Sequence, residues 1–202
     1  MSDLYLNPIF NPQEIEKERG VVIEEINMFE DTPMRRVHDF FMDLLYGDQP
    51  AGRDVGGRKE VIRRLQREDF LKYRTKHYVP QATTIVVSGN FDEGKTVRII
   101  KTIFGGIKKQ PKSPKFKTKE FQKKPAISAK FKESDQTHLV LGVRAFDVFD
   151  ERRYGLQVLA DILGGGMSSR LWRRVREELG AAYYVRASSE LFLDHGYLSV
   201  SA

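Results

Sequence analysis

The sequence of residues 11–30 is NPQEIEKERGVVIEEINMFE, and its first residues carry a strong helix-start signal. Asn11 suits the capping position, Pro12 suits the first helical position, and Glu14 stands three residues after the cap. With 3.6 residues per turn, the apolar residues of the stretch form one stripe along the helix and a second stripe about a third of a turn away. The first stripe contains Ile15, Val22, Ile26 and Phe29, and the second contains Val21 and Met28. The stretch therefore predicts one helix that ends near residue 30.

Two glutamates of this helix, Glu18 and Glu25, stand two turns apart and fall between the apolar stripes. A carboxylate inside an apolar arc needs a partner, because burial of an unpaired charge is costly. Two interpretations stay open: ion pairs with Arg or Lys of packed helices, or a metal ion. A glutamate supplies one oxygen ligand to Zn²⁺, and a catalytic zinc site needs two more protein ligands, usually His. The histidines, His38, His77, His138 and His195, include no pair three to five residues apart.

The rest of the chain alternates helical and strand patterns on both sides of a lysine-rich segment. Before that segment we predict helices at 33–46, within 59–77 and at 93–104, and a buried strand at 83–89. In the second half, from about residue 116, we predict strands at 126–132 and 137–146, a helix at 150–163, a basic helix to residue 178, and a hairpin of strands 183–192 and 196–201. Because the chain stops inside the last predicted strand, we expect it to be truncated there.

The composition limits the class of protein. The chain has 202 residues, 40% of them apolar and 31% charged, which fits a globular protein of one large or two small domains. Cysteine is absent, which excludes disulfides, thiolate zinc sites, iron–sulfur clusters and cysteine nucleophiles. No apolar run approaches the roughly 18 residues of a membrane span, and no signal peptide is recognisable. We therefore expect no membrane partner and a cytoplasmic location.

The lysine-rich segment carries more positive charge than the net +6 of the whole chain. Residues 108–132 contain ten lysines and a single acidic residue, Glu120. Prolines and the lack of an apolar period favour a solvated, extended linker, which we place at residues 108–117. A nucleic-acid-binding role is the alternative, since clustered lysines can neutralise phosphates. Because the lysines are not interleaved with Arg or Gly, we expect no nucleic-acid partner.

Several motifs in order resemble one family. Residues 18–26 (ERGVVIEEI), 46–50 (YGDQP), 70–80, 87–92 (VSGNFD), 136–142 (QTHLVLG), 163–171 (LGGGMSSRL) and 176–183 (REELGAAY) are similar to successive segments of the pitrilysin/insulinase-type zinc metallopeptidases. Relatives of that family include the subunits of the mitochondrial processing peptidase. The resemblance covers nearly the whole chain, and several ordered matches are far more specific than any single one.

The resemblance implies a fold and a set of functional residues. The fold is α+β, with two α/β layered domains of mostly antiparallel sheets and helices on one face, both incomplete. Residues 1–107 would be the C-terminal part of the first, zinc-site domain, and residues 118–202 the N-terminal part of the second. By the same resemblance Glu25 is a zinc ligand and Glu18 an outer acid that supports the zinc site. Arg176 and Tyr183 match the pair that binds the substrate backbone.

The family's His-x-x-Glu-His motif, which supplies two zinc ligands and the base that activates water, is absent from this chain. Either the sequence begins after the motif, or the protein is a non-catalytic subunit that lost it. We expect that the sequence begins after the motif. The intact protein would then be a Zn²⁺-dependent metalloendopeptidase acting on peptides or unfolded segments. This chain alone would be inactive, with a vacant zinc site. A homodimer or pairing with a related subunit stays open.

Overall fold

The computed structural model describes residues 1–202. The residues group into two compact units: unit 1 comprises residues 1–24 and 58–115, and unit 2 comprises residues 25–57 and 116–202. The border at residues 115/116 falls within the predicted linker, whereas residues 25–57 group with the C-terminal part of the chain. The division of the chain into domains at 1–107 and 118–202 stays a prediction.

The chain is mainly helical, with a few short strands near its C-terminus. The helices are α1 (Ser2–Leu6), α2 (Pro12–Glu30), α3 (Pro33–Tyr46), α4 (Lys59–Arg64), α5 (Arg67–His77), α6 (Glu93–Phe104) and α7 (Arg153–Gly164), with a 3₁₀ turn at Pro80–Ala82 and a π-helix at Trp172–Glu178. The strands are β1 (Val140–Ala145), β2 (Arg186–Leu191) and β3 (Gly196–Ser201). The predicted start of α2 is confirmed, because Asn11 Oδ1 accepts a hydrogen bond from the Gln13 N–H at 2.8 Å. None of these helices has the length and apolar character needed to cross a membrane.

Unit 1 is held together largely by arginine side chains that donate to backbone carbonyl oxygens. Arg19 donates to the carbonyls of Ile62 and Leu65 at 2.6 and 3.0 Å. Arg74 donates to the last two carbonyls of α1 at 3.1 and 2.5 Å. The C-terminal carbonyls of a helix have no partner within the helix, so Arg74 satisfies acceptors that would otherwise need water. These bonds fix α1 to α5 within the unit.

The predicted strand at residues 83–89 is wrong, because this segment forms no strand in the structure. Its apolar side chains, Ile85, Val86 and Val87, are exposed. A strand is stabilised by hydrogen bonds to a neighbouring strand, and unit 1 contains no other strand that could supply them. The sequence pattern therefore indicated a strand-forming segment whose pairing partner this unit lacks.

Unit 2 contains a three-stranded antiparallel sheet with the strand order β1-β3-β2. The central strand, β3, pairs with both neighbours, so that Ser201 lies opposite Val140 on one side and Arg186 on the other. The predicted hairpin is formed by β2 and β3, and the strand predicted at 137–146 is β1 with shorter ends. The predicted α+β class with antiparallel pairing is confirmed.

Helices α3 and α7 cover opposite faces of this sheet. Gly142 of β1 lies against α3, because a Cβ on Gly142 would lie 2.5 Å from the ring Cζ of Phe41. Ala187 of β2 lies against α7, because a Cβ on Gly164 would lie 2.9 Å from the Ala187 Cβ. Gly142 and Ala187 are opposite consecutive residues of β3, and consecutive strand residues point to opposite faces. The sequence predicts helices on one face, and α3 adds a layer on the other.

The strand predicted at residues 126–132 is also wrong, since these residues pair with no strand. Their alternation of apolar and polar residues fits a strand with one apolar face. In the structure Ile127 and Phe131 are 94% and 93% exposed. Alternation predicts which side chains share a face, but a ladder forms only where a partner strand runs alongside.

A cluster of side chains fixes residues 118 and 119 within unit 2. The Thr118 N–H donates to Asp194 Oδ2 at 2.7 Å, and the buried His195 has its Nδ1 2.8 Å from Asp194 Oδ1. Beside them, the Gln49 amide donates to the Lys119 carbonyl at 2.7 Å and accepts from the Lys119 N–H at 2.8 Å. Residues 118 and 119 are thus bonded to the β2–β3 hairpin and to the loop after α3.

We expect the Asp194→Ala variant to lose part of the acid sensitivity of folding. The Thr118 N–H, and then His195, lower the pKa of the Asp194 carboxyl in the folded chain. A lowered pKa stabilises the fold above the unfolded value of about 3.9, and this contribution is lost as the pH falls below it. Urea unfolding between pH 6 and pH 3 should therefore show a smaller fall in the free energy of unfolding for Asp194→Ala than for the wild type. Asp161→Ala, on the exposed side of α7, serves as the control, and equal pH slopes for Asp194→Ala and wild type would contradict the prediction.

Candidate active site

Helix α2 carries both predicted acidic site residues on its exposed surface. Glu18 and Glu25 lie about two turns apart, both are exposed, and neither makes a hydrogen bond or an ion pair. The expectation that they are enclosed by an apolar arc is wrong, because Ile26 alone of the α2 side chains is buried. Of the two interpretations left open by the sequence, the ion pair with a packed Arg or Lys is absent from this structure.

The Glu25 carboxylate lies beside an uncovered apolar surface of α2. Met28 and Phe29, three and four residues further along the helix, occupy the neighbouring positions on its surface, and both are exposed. Water solvates the carboxylate as long as this surface stays open. A protein segment that covered Met28 and Phe29 would also remove water from Glu25, which would then need a cation.

Glu18 lies in unit 1 at the wall of an apolar groove of about 810 Å³. The groove is bounded by the N-terminal segment, the first half of α2, and α4. Arg19 lines it as well, but its guanidinium is already bonded to two carbonyls and to Glu16 at 3.0 Å. The Glu18 carboxylate is therefore not paired with the arginine next to it in the sequence.

Arg176 and Tyr183, the predicted substrate-binding pair, are brought together in unit 2. Arg176 Nη1 donates a hydrogen bond to the backbone carbonyl of Tyr183. The Tyr183 side chain is 80% exposed, so its hydroxyl is accessible to a ligand. The pair thus presents a guanidinium and a phenol at the surface, which are both donors to peptide carbonyl oxygens.

A glycine turn makes this approach of Arg176 and Tyr183 geometrically feasible. The π-helix ends at Glu178, and Gly180 adopts φ +59°, a left-handed conformation that glycine accepts without strain. The N–H of Ala181 then bonds back to the carbonyl of Val175 at 3.0 Å. The chain reverses at this point, and Tyr183 returns alongside the helix that carries Arg176.

The side chains of this chain do not form a zinc site by themselves. No group of three or more His, Asp or Glu side chains comes together in the structure. His195 is buried against Asp194, His138 contacts the hydroxyl of Tyr184 at 3.2 Å, and His38 is exposed. Glu25 is a single carboxylate, so any zinc ion at this position needs further ligands from outside these residues.

Two features of unit 2 are not among those predicted from the sequence. Trp172 lies under the Arg176 side chain, with 4.9 Å between the guanidinium carbon and the ring centroid. The sequence does indicate this contact, because Trp172 and Arg176 stand four residues apart in a predicted helix and residues so spaced are neighbours on its surface. The contact between the His195 ring and the Thr118 hydroxyl is not predicted either, because the two residues are distant along the chain and no sequence motif links them.

Comparison with known proteins places the chain in a family. Residues 64–202 match the family described as the peptidase M16 inactive domain. Over 205 residues the chain is 36% identical to an uncharacterized zinc protease of Mycobacterium leprae, covering 100% of this chain and 46% of that protein. It is 33% identical to an uncharacterized zinc protease of Bacillus subtilis, covering 99% of this chain and 48% of that protein. The chain belongs to the M16 peptidase family, and it spans about half the length of the curated relatives it matches.

Solved structures agree with the fold. The crystal structure of a peptidase M16 inactive domain from Pseudomonas fluorescens matches with a TM-score of 0.81 at 19% identity, covering 99% of this chain and 48% of that one. Pitrilysin matches with a TM-score of 0.65 at 16% identity, covering 100% of this chain and 22% of that one. At these identities the similarity concerns the fold, which is the α+β fold of M16 domains.

Proposed function

We propose that this chain is part of a zinc-dependent M16 endopeptidase that hydrolyses peptides or unfolded segments, with Glu25 as one of the zinc ligands. The observation that carries the proposal is that Glu25 is exposed and free of any ion pair, beside an uncovered apolar surface. A carboxylate committed to an arginine could not serve a metal ion. The names of the relatives, which are zinc proteases, support the choice of zinc. The remaining ligands have to come from residues outside this chain.

The other site residues take supporting roles in this proposal. Glu18 is an acid near the zinc ligand along α2 and supports it through hydrogen bonds that form when the site is complete. Arg176 and Tyr183 bind the backbone of the substrate, because a guanidinium and a phenol donate to carbonyl oxygens whatever the substrate side chain is. The peptide is thereby held by groups that do not select for sequence.

A non-catalytic peptidase-like subunit is the second candidate function. It is favoured by the family description, which names an inactive domain, and by the lack of His-x-x-Glu-His in this chain. In such a protein the Arg176–Tyr183 pair would still bind an extended peptide, but no zinc would be held. The partner would then be a related, catalytically active subunit.

Zinc analysis and peptide hydrolysis of two proteins distinguish these candidates. The first protein is the 202-residue chain, and the second is the longer protein of which we propose this chain to be a part. We expect the longer protein to contain about one zinc per chain and to cleave unfolded casein in a chelator-sensitive manner, since zinc activates the attacking water in such sites. The 202-residue chain should do neither. A longer protein without zinc and without activity would favour the non-catalytic subunit, and hydrolysis by the 202-residue chain would contradict the role given to Glu25.

Tyr183→Phe should weaken hydrolysis by the longer protein and leave its zinc content unchanged. The substitution removes the exposed hydroxyl but keeps the backbone carbonyl that Arg176 binds. Loss of one hydrogen bond to substrate corresponds to about a tenfold lower kcat/KM. Tyr73→Phe, an exposed tyrosine of α5, is the matched control and should behave as wild type. Loss of zinc from Tyr183→Phe would refute the substrate-binding role.

A further inference from the structure

Trp172 and Arg176 form a cation–π pair on the π-helix of unit 2. The guanidinium carbon of Arg176 lies 4.9 Å from the centroid of the indole ring, within the range in which such pairs attract. On its other side the same guanidinium donates to the Tyr183 carbonyl. Two restraints of different chemistry therefore fix one long side chain that would otherwise populate many rotamers.

The charge of Arg176 is restrained without being neutralised. The neighbouring arginine on this helix, Arg174, is paired with Glu178 at 2.6 Å. Arg176 makes no ion pair in the structure, and its partners are an aromatic ring and a carbonyl oxygen. A carboxylate partner would fix the side chain equally well but would compete with any substrate acceptor for the guanidinium hydrogens. The indole contacts the guanidinium without accepting its N–H hydrogens, so the edge that faces away from Tyr183 can still donate hydrogen bonds.

We propose that Trp172 is a positioning residue, which holds the Arg176 guanidinium at Tyr183 so that it meets a peptide carbonyl in a fixed orientation. The proposal rests on the proposed function for its consequence in hydrolysis. The contact itself can be measured without any activity, because Trp172 is the single tryptophan of the chain. Its fluorescence reports this one place in the protein.

The first test measures acrylamide quenching of Trp172 fluorescence in the 202-residue chain. Acrylamide is neutral, so a change in side-chain charge does not alter its local concentration. Arg176→Gln should raise the quenching constant about twofold, since the guanidinium covers one of the two ring faces in a cation–π pair. Arg173→Gln, an exposed arginine next to the ring residue in sequence, is the control and should leave the constant as in wild type. Equal quenching of wild type and Arg176→Gln would overturn the proposal.

The second test measures peptide hydrolysis by the longer protein. Trp172→Leu should lower kcat/KM about tenfold, within the range of a lost cation–π contact, whereas Trp172→Phe keeps an aromatic face and should retain most of the activity. If Trp172 only filled apolar space, the Leu and Phe variants would have similar activity, because leucine also fills apolar space. Equal activity of the Leu and Phe variants would overturn the proposal. If the longer protein cleaves no peptide at all, the proposed function fails, and the quenching result still decides whether Trp172 holds Arg176.

Discussion

Replacement of Glu25 by glutamine is expected to remove zinc and peptide hydrolysis together from the longer protein. The amide is neutral and a much poorer ligand for Zn²⁺ than a carboxylate. Loss of a residue that merely supports a metal ligand already costs 10–100-fold, so loss of a ligand should lower activity by at least about a hundredfold. Zinc per chain after gel filtration and the initial rate of casein hydrolysis are the two measurements.

The control for this experiment is the adjacent glutamate, Glu24→Gln. Glu24 is exposed on α2 and lies about 100° around the helix from Glu25, so it faces another direction. Because Glu24 and Glu25 are both exposed and Glu25 makes no hydrogen bond or ion pair, neither variant should alter the free energy of unfolding of the 202-residue chain by more than about 0.5 kcal/mol. Full zinc content and full turnover in Glu25→Gln would show that Glu25 is not a ligand.

The second large effect is expected for stability, from a single methyl group at the end of α7. In Gly164→Ala the new Cβ would lie 2.2 Å from the backbone nitrogen of Ala187 and 2.9 Å from its Cβ. Alanine in place of a helical glycine gains up to about 1 kcal/mol of helix propensity, but overpacking against backbone costs about 1–3 kcal/mol or more. We expect the clash to dominate, because a strand backbone cannot rotate away as a flexible side chain does.

Urea unfolding of the 202-residue chain measures this effect. Gly166→Ala is the matched control two residues away, since nothing lies within 4 Å of a Cβ at Gly166. Each kcal/mol lost from the free energy of unfolding lowers the melting temperature of a chain of this size by roughly 2–4 °C, so thermal unfolding is a second measurement of the effect. If Gly164→Ala is as stable as Gly166→Ala, the close approach of α7 to β2 is not as tight as described.

The sequence predicts those elements best whose stabilising interactions lie close together along the chain. Asn11 and Pro12 specify the start of α2 within a single turn, and this boundary was predicted correctly. The strands at 83–89 and 126–132 were predicted from equally clear patterns but are not formed. Helical hydrogen bonds lie within the segment itself, whereas a strand depends on a partner that can be distant or missing.

The same difference between local and distant interactions applies to the candidate site. The family resemblance pairs Arg176 with Tyr183 as substrate-binding residues, but their contact depends on the turn at Gly180, which the structure shows. The exposure of Glu18 and Glu25 could not be predicted, because an apolar arc indicates only which face can be covered. Whether it is covered depends on segments that are distant along the chain, and in this structure Ile26 alone of the α2 side chains is buried.

The uncovered segment at residues 126–132 has a consequence for the behaviour of the chain in solution. With Ile127 and Phe131 open to water, it has the character of an aggregation-prone strand. Lys130 flanks Phe131 and acts as a gatekeeper, because stacking two copies would bring like charges together, whereas Lys132 is paired with Asp31 at 3.0 Å. Added salt shortens the reach of that repulsion to about 3 Å at 1 M, so the chain should keep its solubility best in buffers of low ionic strength.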